Sequence, residues 1–166
     1  MSLPPMLQSQ APAAPSLGFT VVSFLGAFLA IGLTGCLSHL SGVPWLMAAF
    51  GASCVLVFGV PDSPLAQPRS VIGGHILSTL VGFGVLYFLG NAWWAGALGV
   101  ALALALMQQT RTLHAPAGAN PLVVLTADPS WIFLLTPVLL GSVSIVSVAW
   151  CVNNLRSKGS YPKYWI

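Results

Sequence analysis

The residues able to do chemistry in this chain are few, and several fall in one stretch. RTLHAPAGANP, from Arg111 to Pro121, is a polar, helix-breaking insert between two long apolar runs. Hydrocarbon tolerates non-helical backbone only where protein or a water-lined cavity satisfies its N–H and C=O groups. Arg111 and His114 set ionisable groups beside that broken backbone, which in a membrane marks a site. Elsewhere, FGAS places Gly51 and Ser53 inside another apolar run, and Gly73-Gly74-His75 puts a lone imidazole in a third. His titrates near neutral pH, so His75 or His114 is suited to carry a coupling proton.

The rest of the inventory excludes more than it offers. The only acids are Asp62 and Asp128, both in proline-containing loops. That leaves no carboxylate pair, no metal-ligand cluster and no GxSxG, so neither an enzyme, a metal site nor a cofactor is expected. Cys36, Cys54 and Cys151 lie singly within apolar runs and read as small buried hydrophobes.

The elements that must position these residues follow from composition. Of 166 residues, 57% are hydrophobic and 4% charged, with mean hydropathy +0.91. A soluble domain carries roughly a quarter charged residues, so this is an all-α polytopic membrane protein surrounded by lipid. The net charge of +3 forms no basic stripe, which argues against nucleic acid. Residues 1–16 read as a flexible leader without signal-peptide character, 17–153 as the membrane domain, and 154–166 as a basic cytoplasmic tail. The lack of transit-peptide features fits a bacterial inner membrane.

Long runs at Leu17–Leu40, Ser70–Asn91, Trp93–Gln108 and Pro129–Val152 suit full spans. Between them lie two interrupted segments, at about 43–60 and 112–127. Ser53 and Asn120 are expected to cap half-helices starting at these breaks, with Pro121 in the first turn. Ala48-Ala49-Phe50-Gly51-Ala52-Ser53 aligns with Ala115-Pro116-Ala117-Gly118-Ala119-Asn120, dividing the domain into repeats at about 17–91 and 92–153. If both interrupted segments cross, two three-segment repeats of inverted topology result. Arg69, Arg111, Arg156, Lys158 and Lys163 then share the cytoplasmic side, as the charge rule prefers. The alternative is four spans plus two re-entrant segments. In the inverted arrangement the half-helix N-termini meet near the midplane and form an anion site. Its expected members are Gly51, Ser53, His114, Gly118, Ala119 and Asn120, with Arg111 steering anions toward it and His75 able to couple a proton.

LHAPAGANPL, the upstream FGAS, SPLAQPRSVIGGH and the closing NNL…YPKYW resemble the HPP family of small integral membrane proteins across about residues 17–165. The tripeptide that names the family is His114-Ala115-Pro116 here, with alanine in place of the first proline. The family is usually described with four spans. Some members in plastids and cyanobacteria are implicated in nitrite transport, and others carry CBS domains, which this sequence lacks. The resemblance implies a small-anion transporter with nitrite as leading substrate. A non-transporting scaffold or regulatory subunit is the alternative, and the Gly/Ala-rich helix faces make a homo-oligomer an expectation.

Overall fold

Helix α1 (Leu17–Ser41) needs little explanation: it is charge-free, and Ser16 caps its start by accepting the Phe19 N–H at 3.2 Å. It stops at Gly42, whose φ of 67° lies in the left-handed region that favours glycine. The computed structural model describes residues 11–165, and no strand occurs among them. Most of the expected leader, residues 1–10, lies outside that range. Three helical stretches are long and apolar enough to cross a membrane: Leu17–Ser41, Pro68–Leu89 and Leu134–Arg156.

Chain direction follows from contacts at the two ends of the bundle. After α1 the backbone runs extended through Met47, tied down where Trp45 N–H donates to Ser38 Oγ at 2.8 Å. Helix α2 (Ala48–Cys54) then continues into wider, π-type turns over Val55–Gly59. Wider turns leave carbonyls unpaired. Here Ser23 Oγ donates to Phe58 O at 2.8 Å and Asn153 Nδ2 to Val57 O at 2.9 Å, so α1 and the last helix supply the missing donors. Gly26 makes room for this packing, because a Cβ there would overlap the Phe58 ring. Gly32 and Gly35 meet nothing within 4 Å.

Pro68 opens α3 (Pro68–Leu89), and Gly90 closes it. After a tight turn, α4 (Trp93–Gln109) returns antiparallel to α3. Arg69 at the start of α3 donates to Thr110 O at 2.9 Å and Arg111 O at 3.2 Å, capping the last carbonyls of α4 with a cation. Arg111 itself sits at φ 58°. The chain then runs extended to His114, makes a 3-10 turn over Ala115–Ala119 and enters α5 (Asn120–Ala127). Asp128, at φ 42°, ends α5. A kinked run, Leu134–Leu139, leads into α6 (Leu140–Arg156). The kink falls at Thr136, before Pro137, which has no N–H to donate.

The basic residues collect at one end. Arg156 reaches Ser23 at 3.1 Å and covers the Phe19 ring at 3.9 Å, Lys163 pairs with Asp62 at 3.0 Å, and Tyr161 Oη donates to Ala66 O at 2.8 Å. Burial raises the Tyr161 phenol above its usual pKa, which keeps it a donor at alkaline pH. Asp128 lies toward the other end, near Trp131, which stacks on Phe83 at 4.3 Å. Large apolar side chains such as Phe24, Phe28 and Trp93 stay exposed, as lipid-facing surface requires.

Several local expectations are corrected. The first break lies at the non-helical residues before Ala48 rather than at Ser53. Ser53 caps nothing: the N-cap position of α2 is Met47, and Ser53 sits inside the helix. Asn120 is likewise not a cap, because the 3-10 turn runs directly into α5 and leaves its side chain free for other partners.

Candidate functional site

Helix α3 presents Gly74, Ser78 and Gly82 on one face, at the four-residue spacing that stacks side chains along a helix. The second interrupted segment lies against that stripe. A Cβ on Gly74 would come within 2.7 Å of Thr112 O, and one on Gly82 within 2.9 Å of Pro121 Cα. Between them, Ser78 Oγ donates to Ala117 O at 2.6 Å, satisfying a carbonyl of the 3-10 turn. His75, one residue from Gly74, is carried to the centre of the bundle with no exposed surface.

Four side chains close on one another there. Ser53 Oγ lies 2.9 Å from His75 Nε2 and 2.8 Å from His114 Nε2, bridging two rings whose centroids are 5.0 Å apart. His114 Nδ1 contacts Leu65 O at 2.7 Å, and Asn120 Nδ2 contacts His75 Nδ1 at 3.1 Å. Ser53, His75, His114 and Asn120 are all fully buried. The residues paired by aligning the two breaks, Ser53 and Asn120, therefore hold opposite nitrogens of one imidazole.

The ends of this chain of bonds fix its direction. A carbonyl only accepts, so His114 Nδ1 carries hydrogen and its Nε2 accepts from Ser53 Oγ–H. The Asn120 amide nitrogen faces three acceptors: His75 Nδ1, His75 O at 3.1 Å and Thr79 Oγ1 at 2.9 Å. His75 Nδ1 is thus an acceptor, and its Nε2–H donates to Ser53. Thr79 Oγ1 in turn donates to His75 O at 2.8 Å. Asn120 Oδ1 is buried without a partner. Phe50 meets the His75 ring edge-on at 5.2 Å and seals one side. Among the described residues, no third His, Cys, Asp or Glu joins the rings to make a metal-binding group.

The other expected members lie elsewhere. Gly51 is exposed and lines a groove with Ser23, Ala27 and Cys54, facing α1. Ala119 is exposed, Gly118 half-buried with nothing within 4 Å of a Cβ, and Arg111 exposed at the basic end. The structure thus assembles Ser53, His75, His114 and Asn120 and separates Gly51, Ala119 and Arg111 from them. Ser78, Thr79 and the Leu65 carbonyl escaped the sequence reading. Ser78 and Thr79 follow His75 by three and four residues, a helical spacing that places them near its face.

Comparison with known proteins agrees with this setting. The family model described as "HPP, transmembrane region" matches residues 12–162. A transmembrane protein of Dictyostelium discoideum is 44% identical over 128 residues, covering 72% of this chain and 45% of the relative. A second from the same organism is 37% identical over 155 residues, covering 86% of this chain and 50% of the relative. The chain thus spans about half the length of these relatives. No solved structure matches.

Proposed function

The chain belongs to the HPP family of transmembrane proteins, and on that premise we propose that it carries a small inorganic anion, nitrite foremost. The observation that supports this reading is the buried knot of Ser53, His75, His114 and Asn120 between two interrupted segments. Polar, ionisable groups beside broken helices deep in a membrane bundle are how transporters build solute sites. When its internal pairs open, the knot offers an anion N–H and O–H donors from all four side chains. Arg111 and Arg69, at the basic end, draw anions to that face. We place that end in the cytoplasm of a cell with the chain in its inner membrane, because Lys and Arg favour that side.

The close mutual pairing of the four side chains supports a second reading, a buckle that stiffens a non-transporting scaffold or regulatory subunit. Purified protein in liposomes separates the two. Nitrite influx is followed beside nitrate, formate and chloride, at alkaline pH and against empty liposomes, because nitrous acid crosses lipid unaided. Protein-dependent nitrite influx is expected. Influx of another anion alone changes the substrate, and no influx of any from folded protein leaves the buckle.

A further inference from the structure

We propose that the His75–Ser53–His114 triad takes up one proton with each anion, making the protein a proton–anion symporter whose cycle moves no net charge. This inference rests on the transport reading above. In the resting network both rings are neutral, and the bonds run from Asn120 through His75, Ser53 and His114 to Leu65 O. The geometry holds a place for one more proton. It adds to the Nε2 lone pair of His114, displacing the Ser53 hydroxyl hydrogen, which turns to Ala49 O, 3.1 Å away. Both rings then donate Nε2–H to the two lone pairs of Ser53 Oγ. No polar group loses a partner in the exchange.

A second proton has no such place. On His75 Nδ1 it would point at the Asn120 amide nitrogen, donor against donor, and turning the amide would forfeit its bonds to His75 O and Thr79. The stoichiometry is therefore one proton. On the side where the anion binds, a water O–H bond breaks as the N–H forms, leaving hydroxide; on the far side the N–H breaks and the proton passes to water as the anion leaves.

That proton needs an anion beside it, because a lone charge in apolar surroundings is costly to hold. Among the described residues, no acidic side chain lies beside it. Asp62 is exposed and paired with Lys163, and Asp128 is exposed at the far end of α5. The titratable and charged groups on the elements packed around the triad also turn elsewhere. Cys54 of α2 lines the groove toward α1, Arg69 of α3 caps α4, and Tyr87 of α3 is exposed. Cys151 of α6 is exposed, Arg156 lies over Phe19, and α4 carries no such group. The transported anion is the counter-charge, which couples the two.

The test uses the full-length protein in weakly buffered liposomes holding a pH indicator, with sodium nitrite outside at alkaline pH and empty liposomes subtracted. The expected result is internal acidification by one proton per nitrite. The influx should not change when potassium and valinomycin set an inside-negative potential of about 59 mV, which would cut accumulation of a lone univalent anion tenfold. Nitrite influx without acidification, suppressed by that potential, overturns the coupling and leaves transport standing. No influx overturns the transport reading itself. Ser53→Ala should lose about tenfold of the coupled influx, and Ser53→Thr, which keeps the hydroxyl, should retain it. The wild-type ratio decides the matter even if Ser53→Ala fails to fold.

Discussion

The two interrupted segments, 43–60 and 112–127, face the same problem of non-helical backbone inside an apolar bundle, and they recruit help from opposite directions. The first borrows donors from distant helices: Ser23 of α1 and Asn153 of α6 reach Phe58 O and Val57 O. The second leans on one neighbour, α3, which offers Ser78 to Ala117 O and removes side chains at Gly74 and Gly82. The two then converge, because Ser53 and Asn120 hold opposite nitrogens of His75. The second segment is thus seated on a single helix, whereas the first is held from two sides, by hydrogen bonds and close packing from α1 and α6. The two should break in different ways.

The largest effect is expected at the seat of the second segment. Gly74→Leu drives a side chain into Thr112 O and His114, and Gly82→Val into Pro121. Overpacking against backbone costs about 1–3 kcal/mol or more, so both variants should lose a cooperative thermal transition in detergent. Gly51→Ala, with nothing within 4 Å, should melt within about 0.5 kcal/mol of wild type. Equal damage at Gly51 and Gly74 would erase the contrast.

Next comes the point of convergence. Asn120→Ala removes the two N–H groups shared among His75 Nδ1, His75 O and Thr79 Oγ1 and should cost about 1–3 kcal/mol in the same melt. The first segment should yield in smaller, separable steps. Ser23→Ala and Asn153→Ala each remove one bond to its carbonyls, for about 1 kcal/mol apiece, and Ser23→Ala also takes the acceptor of Arg156. Tyr161→Phe leaves Ala66 O without its donor and should cost a comparable amount, roughly 0.5–1.5 kcal/mol, in the same melt. Because burial raises the phenol's pKa, that contribution is complete below the unfolded value of about 10 and fades only as pH climbs through the raised one.

Much of this was legible in the residues. The paucity of charge gives a membrane bundle, and Pro116, Gly118 and Pro121 announce the second interruption. His75 stands out as a lone imidazole in an apolar run and His114 as one in the polar insert, and both prove buried. The first interruption was harder to place. Its extended residues 43–47 sit inside an apolar string, and the donors that stabilise its wide turns come from Ser23 and Asn153, far away in sequence. Capping logic also misplaced Ser53 and Asn120: local rules assign such side chains to their own helix ends, whereas here the tertiary partner His75 claims both. The glycines told the same story, since Gly74 and Gly82 on α3 and Gly141 on α6 are approached by a neighbour's backbone, whereas the exposed Gly51 is not.

On the function proposed above, the anion passes where both segments converge on His75. The most direct measurement is protein-dependent nitrite influx into liposomes for wild type, Asn120→Ala and Cys36→Ala, each shown to be folded. Asn120→Ala should fall about tenfold or more, as loss of a buried hydrogen-bonded contact implies, while Cys36→Ala on the exposed face of α1 tracks wild type. Unchanged influx in Asn120→Ala would contradict the claim.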